Sequence, residues 1–77
     1  MRVLQEGGFE VWIFDFDPPK HVRCYIGEFE AIIDLNAPFR PKNLDEGERD
    51  NPLIGKSLRV VQRNLGLLLE KWDEMNS

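Results

Sequence analysis

The stretch Asp17–Leu35, DPPKHVRCYIGEFEAIIDL, carries the chain's single histidine and single cysteine among several carboxylates. Three chemistries can be built from such parts. Cys24 could act as a nucleophile if His21 were its base. His21, oriented by the Asp34 carboxylate and flanked by Arg23 as an anion holder, could serve a ribonuclease-like site. His21 with Glu28, Glu30 and Asp34 could ligate a divalent ion. Spacing weighs against the first. Residues three apart on a strand point to opposite faces, so Cys24 and His21 diverge, and Cys24 reads as inert packing. The metal reading fares no better, since structural zinc takes four Cys or His ligands and this chain has only two such residues, facing apart. Asp15 and Asp17 read as a strand end rather than an acid–base pair, and Gly7-Gly8 as a turn rather than a phosphate loop. No catalytic residue, cofactor or metal is therefore assigned. His21, Arg23 and Asp34 stay as candidates for chemistry, against the plainer reading of a cross-strand ion pair on a solvated face.

The elements that position these residues follow from pattern. Residues 2–35 alternate in strand fashion, residues 36–51 are rich in proline, glycine and charge, and residues 52–76 have helical periodicity. Gly7-Gly8 separates a first strand (Arg2–Gln5) from a second, FEVWIFDF, which Pro18-Pro19 ends. KHVRCYI is the third strand and FEAIIDL the fourth, joined at Gly27-Glu28 by a type II′ turn. That turn sets a register: Ile26 opposite Phe29, Cys24 opposite Ala31, Val22 opposite Ile33, and on the other face Tyr25 opposite Glu30, Arg23 opposite Ile32, His21 opposite Asp34. Arg23 is then diagonal to both Glu30 and Asp34. A slip of one residue would scramble both faces. The expected architecture is α+β, a small antiparallel meander of three to four strands packed on one C-terminal helix, in a single domain spanning 1–77.

The helix is expected to begin with Asn51 as N-cap and Pro52 at its first position. Ile54, Leu58, Val61, Leu65, Leu68, Trp72 and Met75 recur at helical spacing and form its core stripe. Gly66 interrupts it at a cost of about 1 kcal/mol relative to alanine. Lys56, Arg59 and Arg63 come early and Glu70, Asp73 and Glu74 late, an order that opposes the helix dipole. Two antiparallel copies would reverse that disadvantage, each basic start meeting an acidic end. Val60 and Leu67, outside the apolar arc, would meet near the twofold axis. This predicts an isologous homodimer through the C-terminal helix, against the plainer reading of a solvated face.

Composition narrows the partners. A chain of 77 residues, 42% apolar and 31% charged, is globular but has a core near the lower limit of self-sufficiency. A net charge of −4 argues against general nucleic-acid binding. No apolar run approaches the length of a membrane span, and the lone cysteine suits a reducing, cytoplasmic setting. Strand 2 is apolar on both sides, with Phe9, Val11 and Ile13 on one and Trp12, Phe14 and Phe16 on the other. A single helix covers one side of a small sheet, so the other needs a cover: a partner, or the loop 36–51 with Phe39 as a plug.

The segments LQEGGFEVWIFDF, DPPKHV, GEFEAIIDL, APFRPKN and LLLEKWDEM together resemble the bacterial domain-of-unknown-function family 4160. The family's pattern is a strand around Gly-Gly, then Pro-Pro-His-x-His-Val, a glycine hairpin, a proline-containing loop and a helix ending Leu-Leu-x-x-Trp. Lys20-His21-Val22-Arg23 keeps only one of the two histidines. The family's genes often lie in two-gene arrangements like toxin–antitoxin modules. The resemblance therefore implies one half of such a module, with a cognate protein encoded by the adjacent gene. The expected function is a non-enzymatic protein–protein interaction module, its contacts made by Trp12, Phe14, Phe39, Arg40, Val60, Arg63 and Leu67. The alternative is a small RNA-binding or ribonuclease-like protein using His21, Arg23 and Asp34, with Tyr25 to stack a base.

Overall fold

Two glycine turns organise the sheet of the computed structural model, which describes residues 1–17, 20–36 and 51–76. Strands β1 (Arg2–Glu6), β2 (Phe9–Trp12), β3 (His21–Ile26) and β4 (Phe29–Asp34) pair antiparallel in chain order, and helices α1 (Pro52–Arg63) and α2 (Leu65–Asn76) follow. Gly7 and Gly8 both take positive φ, 58° and 84°, as a type I′ turn requires. Gly27 has φ 55° and Glu28 does not share the left-handed region, as in type II′. The β3–β4 register is the one expected at all six pairs, from Ile26 opposite Phe29 to His21 opposite Asp34. The fold is α+β, as the alternation predicts.

β2 is shorter than expected. It stops at Trp12 rather than running through Phe16. Ile13 still donates its N–H to the Met1 carbonyl at 2.9 Å, but the chain then turns, the Asp17 N–H donating to the Phe14 carbonyl at 3.3 Å. Two aspartates ahead of two prolines favour turn over ladder. On β1 the register shifts between Arg2 and Leu4, a bulge that leaves Arg2 opposite Trp12 and Leu4 opposite Val11.

One face of the sheet is sealed. Phe9, Val11, Ile13, Val22, Cys24, Ala31 and Ile33 are each at most 1% exposed and cluster with Val60, Val61 and Leu68 of the helices. Phe9 and Phe29 meet edge to face, centroids 6.4 Å apart. Leu58, Leu65, Trp72 and Met75 pack on the margin of this cluster, so the expected helical stripe is the core-facing one.

The C-terminal segment is two helices rather than one. Asn51 caps α1 through Oδ1, which accepts the Leu53 N–H at 2.9 Å, with Pro52 in the first turn as expected. The break falls at Asn64, whose Nδ2 donates to the Val60 carbonyl at 2.8 Å. A side chain bonding back four residues competes with the backbone and bends a helix, and Gly66 just beyond lowers the resistance. The Asn64 N–H is shared between the carbonyls of Val60 and Val61, and helical bonding resumes with Leu68 N–H to the Asn64 carbonyl at 2.9 Å.

Val60 needs correction. It is 3% exposed, not on the outer side of the helix. The buried arc of α1 is centred on Ser57, which is fully buried with its Oγ donating to the Ile54 carbonyl at 2.8 Å. At about 100° per residue, Val60 lies within an arc so centred. A hydroxyl residue at the middle of the stripe conceals its true centre from an apolar count.

Candidate functional site

The side of the sheet turned away from the helices is organised around Arg23. It stands opposite Trp12 on β2 and Ile32 on β4. Its Nε and Nη2 grip Asp17, at 3.0 Å to Oδ2 and 2.7 Å to Oδ1, while Nη1 reaches Glu30 Oε2 at 3.3 Å. The Asp17 side chain is 4% exposed and that of Arg23 19%, so this two-pronged pair is largely sheltered. The hydrogen bond to Asp17 raises the guanidinium further above its already high ordinary value, against the opposing effect of burial.

Aromatic rings lie alongside. Trp12 stacks on Phe14 at 5.7 Å and 10°, and Phe14 on Phe16 at 5.0 Å and 26°. The Arg23 guanidinium sits 5.4 Å from the Phe14 centroid and 5.0 Å from that of Phe16, a cation–π arrangement shared by two rings. Trp12 and Phe14 are half-buried and Phe16 is 66% exposed. Beside the ladder, Glu10, Trp12, Phe14 and Tyr25 line a shallow groove of about 300 Å³. Burial and then the neighbouring Glu30 push the Tyr25 hydroxyl above its ordinary value, with Arg23 partly opposing.

The residues singled out for chemistry do not converge. His21 stands opposite Asp34 on the outward register as expected, yet it is 4% exposed, so the pair is sheltered at the histidine rather than solvated. Its Nε2 is 3.8 Å from Asp34 Oδ2, beyond hydrogen-bond distance. The other Asp34 oxygen accepts from the Asn36 backbone N–H at 2.8 Å and from its Nδ2 at 3.1 Å. Arg23, expected to be diagonal to Asp34, is turned to Asp17 and Glu30 instead. Cys24 is fully buried on the opposite face, and burial pushes its thiol up to about 12, so it is inert packing as the spacing predicts.

On the helices, Arg63 donates from Nε to Glu6 Oε2 at 2.9 Å with Nη2 2.8 Å from the same oxygen, and Asn64 Nδ2 approaches Glu6 Oε1 at 3.4 Å. Lys56, Arg59 and Arg63 border a cleft of about 220 Å³ against Gly7, Phe9 and Val60. Leu67 is 39% exposed, and Glu70, Asp73 and Glu74 are exposed on α2. The basic-then-acidic order is therefore at the surface, with Leu67 but without Val60. Phe39 and Arg40 lie outside the described residues.

Sequence reasoning missed the central role of Asp17 and the groove residues Glu10 and Tyr25. The signal for Asp17 was available in principle: a chain turning before two prolines brings an aspartate back over the next strand. The pairing of Glu10 with Tyr25 across β2 and β3 had no such signal, because no two-residue turn joins those strands. Among the described residues, no group of three or more His, Cys, Asp or Glu is placed to hold a metal ion, and no helix is long and apolar enough to cross a membrane. No known family model matches this sequence, and neither a curated protein nor a solved structure is significantly similar to it.

Proposed function

We propose that this chain is a non-enzymatic protein–protein interaction module that offers Trp12, Phe14 and Phe16 to a cognate protein. The observation that carries this reading is the stacked aromatic ladder on the sheet face turned away from the helices, with Phe16 66% exposed. Aromatic and arginine side chains dominate binding energy where interfaces have been dissected. Here Arg23, held by Asp17 and Glu30, stiffens the ladder before any partner arrives, which lowers the entropy lost on docking. The resemblance in sequence points to the product of an adjacent gene as that partner, in a two-gene toxin–antitoxin-like system of the cytoplasm. A homodimer through the outer side of α1 and α2 would use Leu67 and Arg63, with the basic and acidic ends crossed. The RNA-directed alternative has less support, since its histidine is buried and its arginine is already bound to two carboxylates.

Co-expression with the adjacent gene's product, followed by calorimetric titration of the purified pair, tests the reading. Trp12→Ala and Phe14→Ala should each weaken binding at least tenfold. Unchanged affinity in both variants defeats it.

A further inference from the structure

We propose that the groove between β2 and β3 receives a basic side chain of the partner, an arginine above all, seated against Trp12, Phe14 and Tyr25 with Glu10 as its counter-ion. This rests on the contact reading above and names what the contact recognises. The molecule already contains one site of this composition. There the guanidinium of Arg23 lies over Phe14 and Phe16 with the carboxylates of Asp17 and Glu30 at its edges. The neighbouring groove repeats the components, with aromatic walls and one carboxylate but no cation of the described residues among its lining. A flat cation meets the negative face of aromatic rings favourably, and a carboxylate at the rim compensates its charge.

Glu10 is poised for such an exchange. Its Oε1 accepts from Trp12 Nε1 at 3.4 Å, which holds the carboxylate beside the indole. The same oxygen meets Arg2 Nη1, also at 3.4 Å, in a pair whose side chains are 53% and 41% exposed. A long, hydrated pair of this kind holds its partners weakly, so an incoming guanidinium can displace Arg2. A net charge of −4 on the chain further favours a cationic visitor.

The test titrates the whole protein with a blocked Gly-Arg-Gly peptide and with its citrulline counterpart, which keeps the planar shape but replaces one terminal amino group by a carbonyl oxygen and loses the charge. The readouts are the Trp12 indole N–H and Tyr25 amide resonances. The arginine peptide should shift both saturably at millimolar concentration, and the citrulline peptide should bind at least fivefold more weakly. Glu10→Gln should weaken the arginine peptide at least threefold, and Arg2→Ala should tighten it. Equal binding of the two peptides, or an arginine titration that leaves both resonances still, overturns the inference. Because no partner enters this experiment, such a failure leaves the aromatic contact reading to stand or fall on the Trp12→Ala titration alone.

Discussion

On its inner face the sheet holds Val11, Val22, Cys24 and Ile33 at 0% exposure beneath two helices, whereas on its outer face Trp12 and Phe14 are half-covered and Phe16 is 66% exposed. Both faces are drawn from the same strands and both contain large apolar groups. The difference lies in what accompanies them. Inside, there is close-packed hydrocarbon with one buried hydroxyl already bonded. Outside, the rings alternate with Arg23, Glu10 and Glu30, groups that can exchange protein contacts for water. The inner face commits its apolar area to stability, and under the proposed reading the outer face keeps its area available for association.

This contrast can be broken or sharpened by substitution. Leu68→Ala, which empties a fully buried site under the sheet, should cost about 2–5 kcal/mol in chemical denaturation. Trp12→Ala should cost clearly less in the same measurement while removing partner binding; equal losses would erase the distinction between the faces. Arg23→Ala should cost about 1–3 kcal/mol, because it strands the 4% exposed carboxylate of Asp17. The same variant should also loosen the aromatic ladder, read as a change in the near-ultraviolet circular dichroism of Trp12.

A fourth prediction concerns pH. Burial raises the Cys24 thiol from 9.0 to about 12 in the folded state. The folded protein therefore holds this proton longer than the unfolded chain does, so the stability linked to it is intact below pH 9.0 and is lost as pH rises towards about 12. Cys24→Ala should flatten that part of the alkaline profile, and alkylation of native Cys24 at pH 8 should proceed only as fast as the fold opens. The smallest expected effect is that of Gly66→Ala. Added at this position, a Cβ meets no described atom within 4 Å, so the variant should gain about 0.5–1 kcal/mol by helix propensity. A loss instead would show that the Asn64 break depends on Gly66.

How much of this was legible in the sequence differs along the chain for physical reasons. The hairpin of β3 and β4 was readable to the residue, because a two-residue glycine turn and a strict apolar alternation each demand the same register. The pairing of β2 with β3 was not, since the segment between them contains a turn, two aspartates and two prolines that impose no register rule. Trp12, Phe14 and Phe16 were correctly placed opposite Phe9, Val11 and Ile13 by alternation alone, even though the strand ends at Trp12. Burial of Val60 and His21 escaped because each is settled by tertiary surroundings: Val60 by an arc centred on a serine, His21 by shelter on a face that local pattern marks as polar. The break at Asn64 was half-visible. Gly66 marked the weak place, but the bond that bends the helix comes from an asparagine amide reaching back one turn.

The contact of Glu6 with Arg63, 57 residues away in the chain, bears on how the protein assembles. Every strand of the meander pairs with its neighbour in sequence, so the sheet can zip up through short loop closures. The tie at the tip of the first hairpin forms only when the helices have docked, which closes a loop of most of the chain. An Arg63→Ala variant that folds at an unchanged rate but unfolds faster would place that docking after the folding transition state and make the tie a latch on the way out.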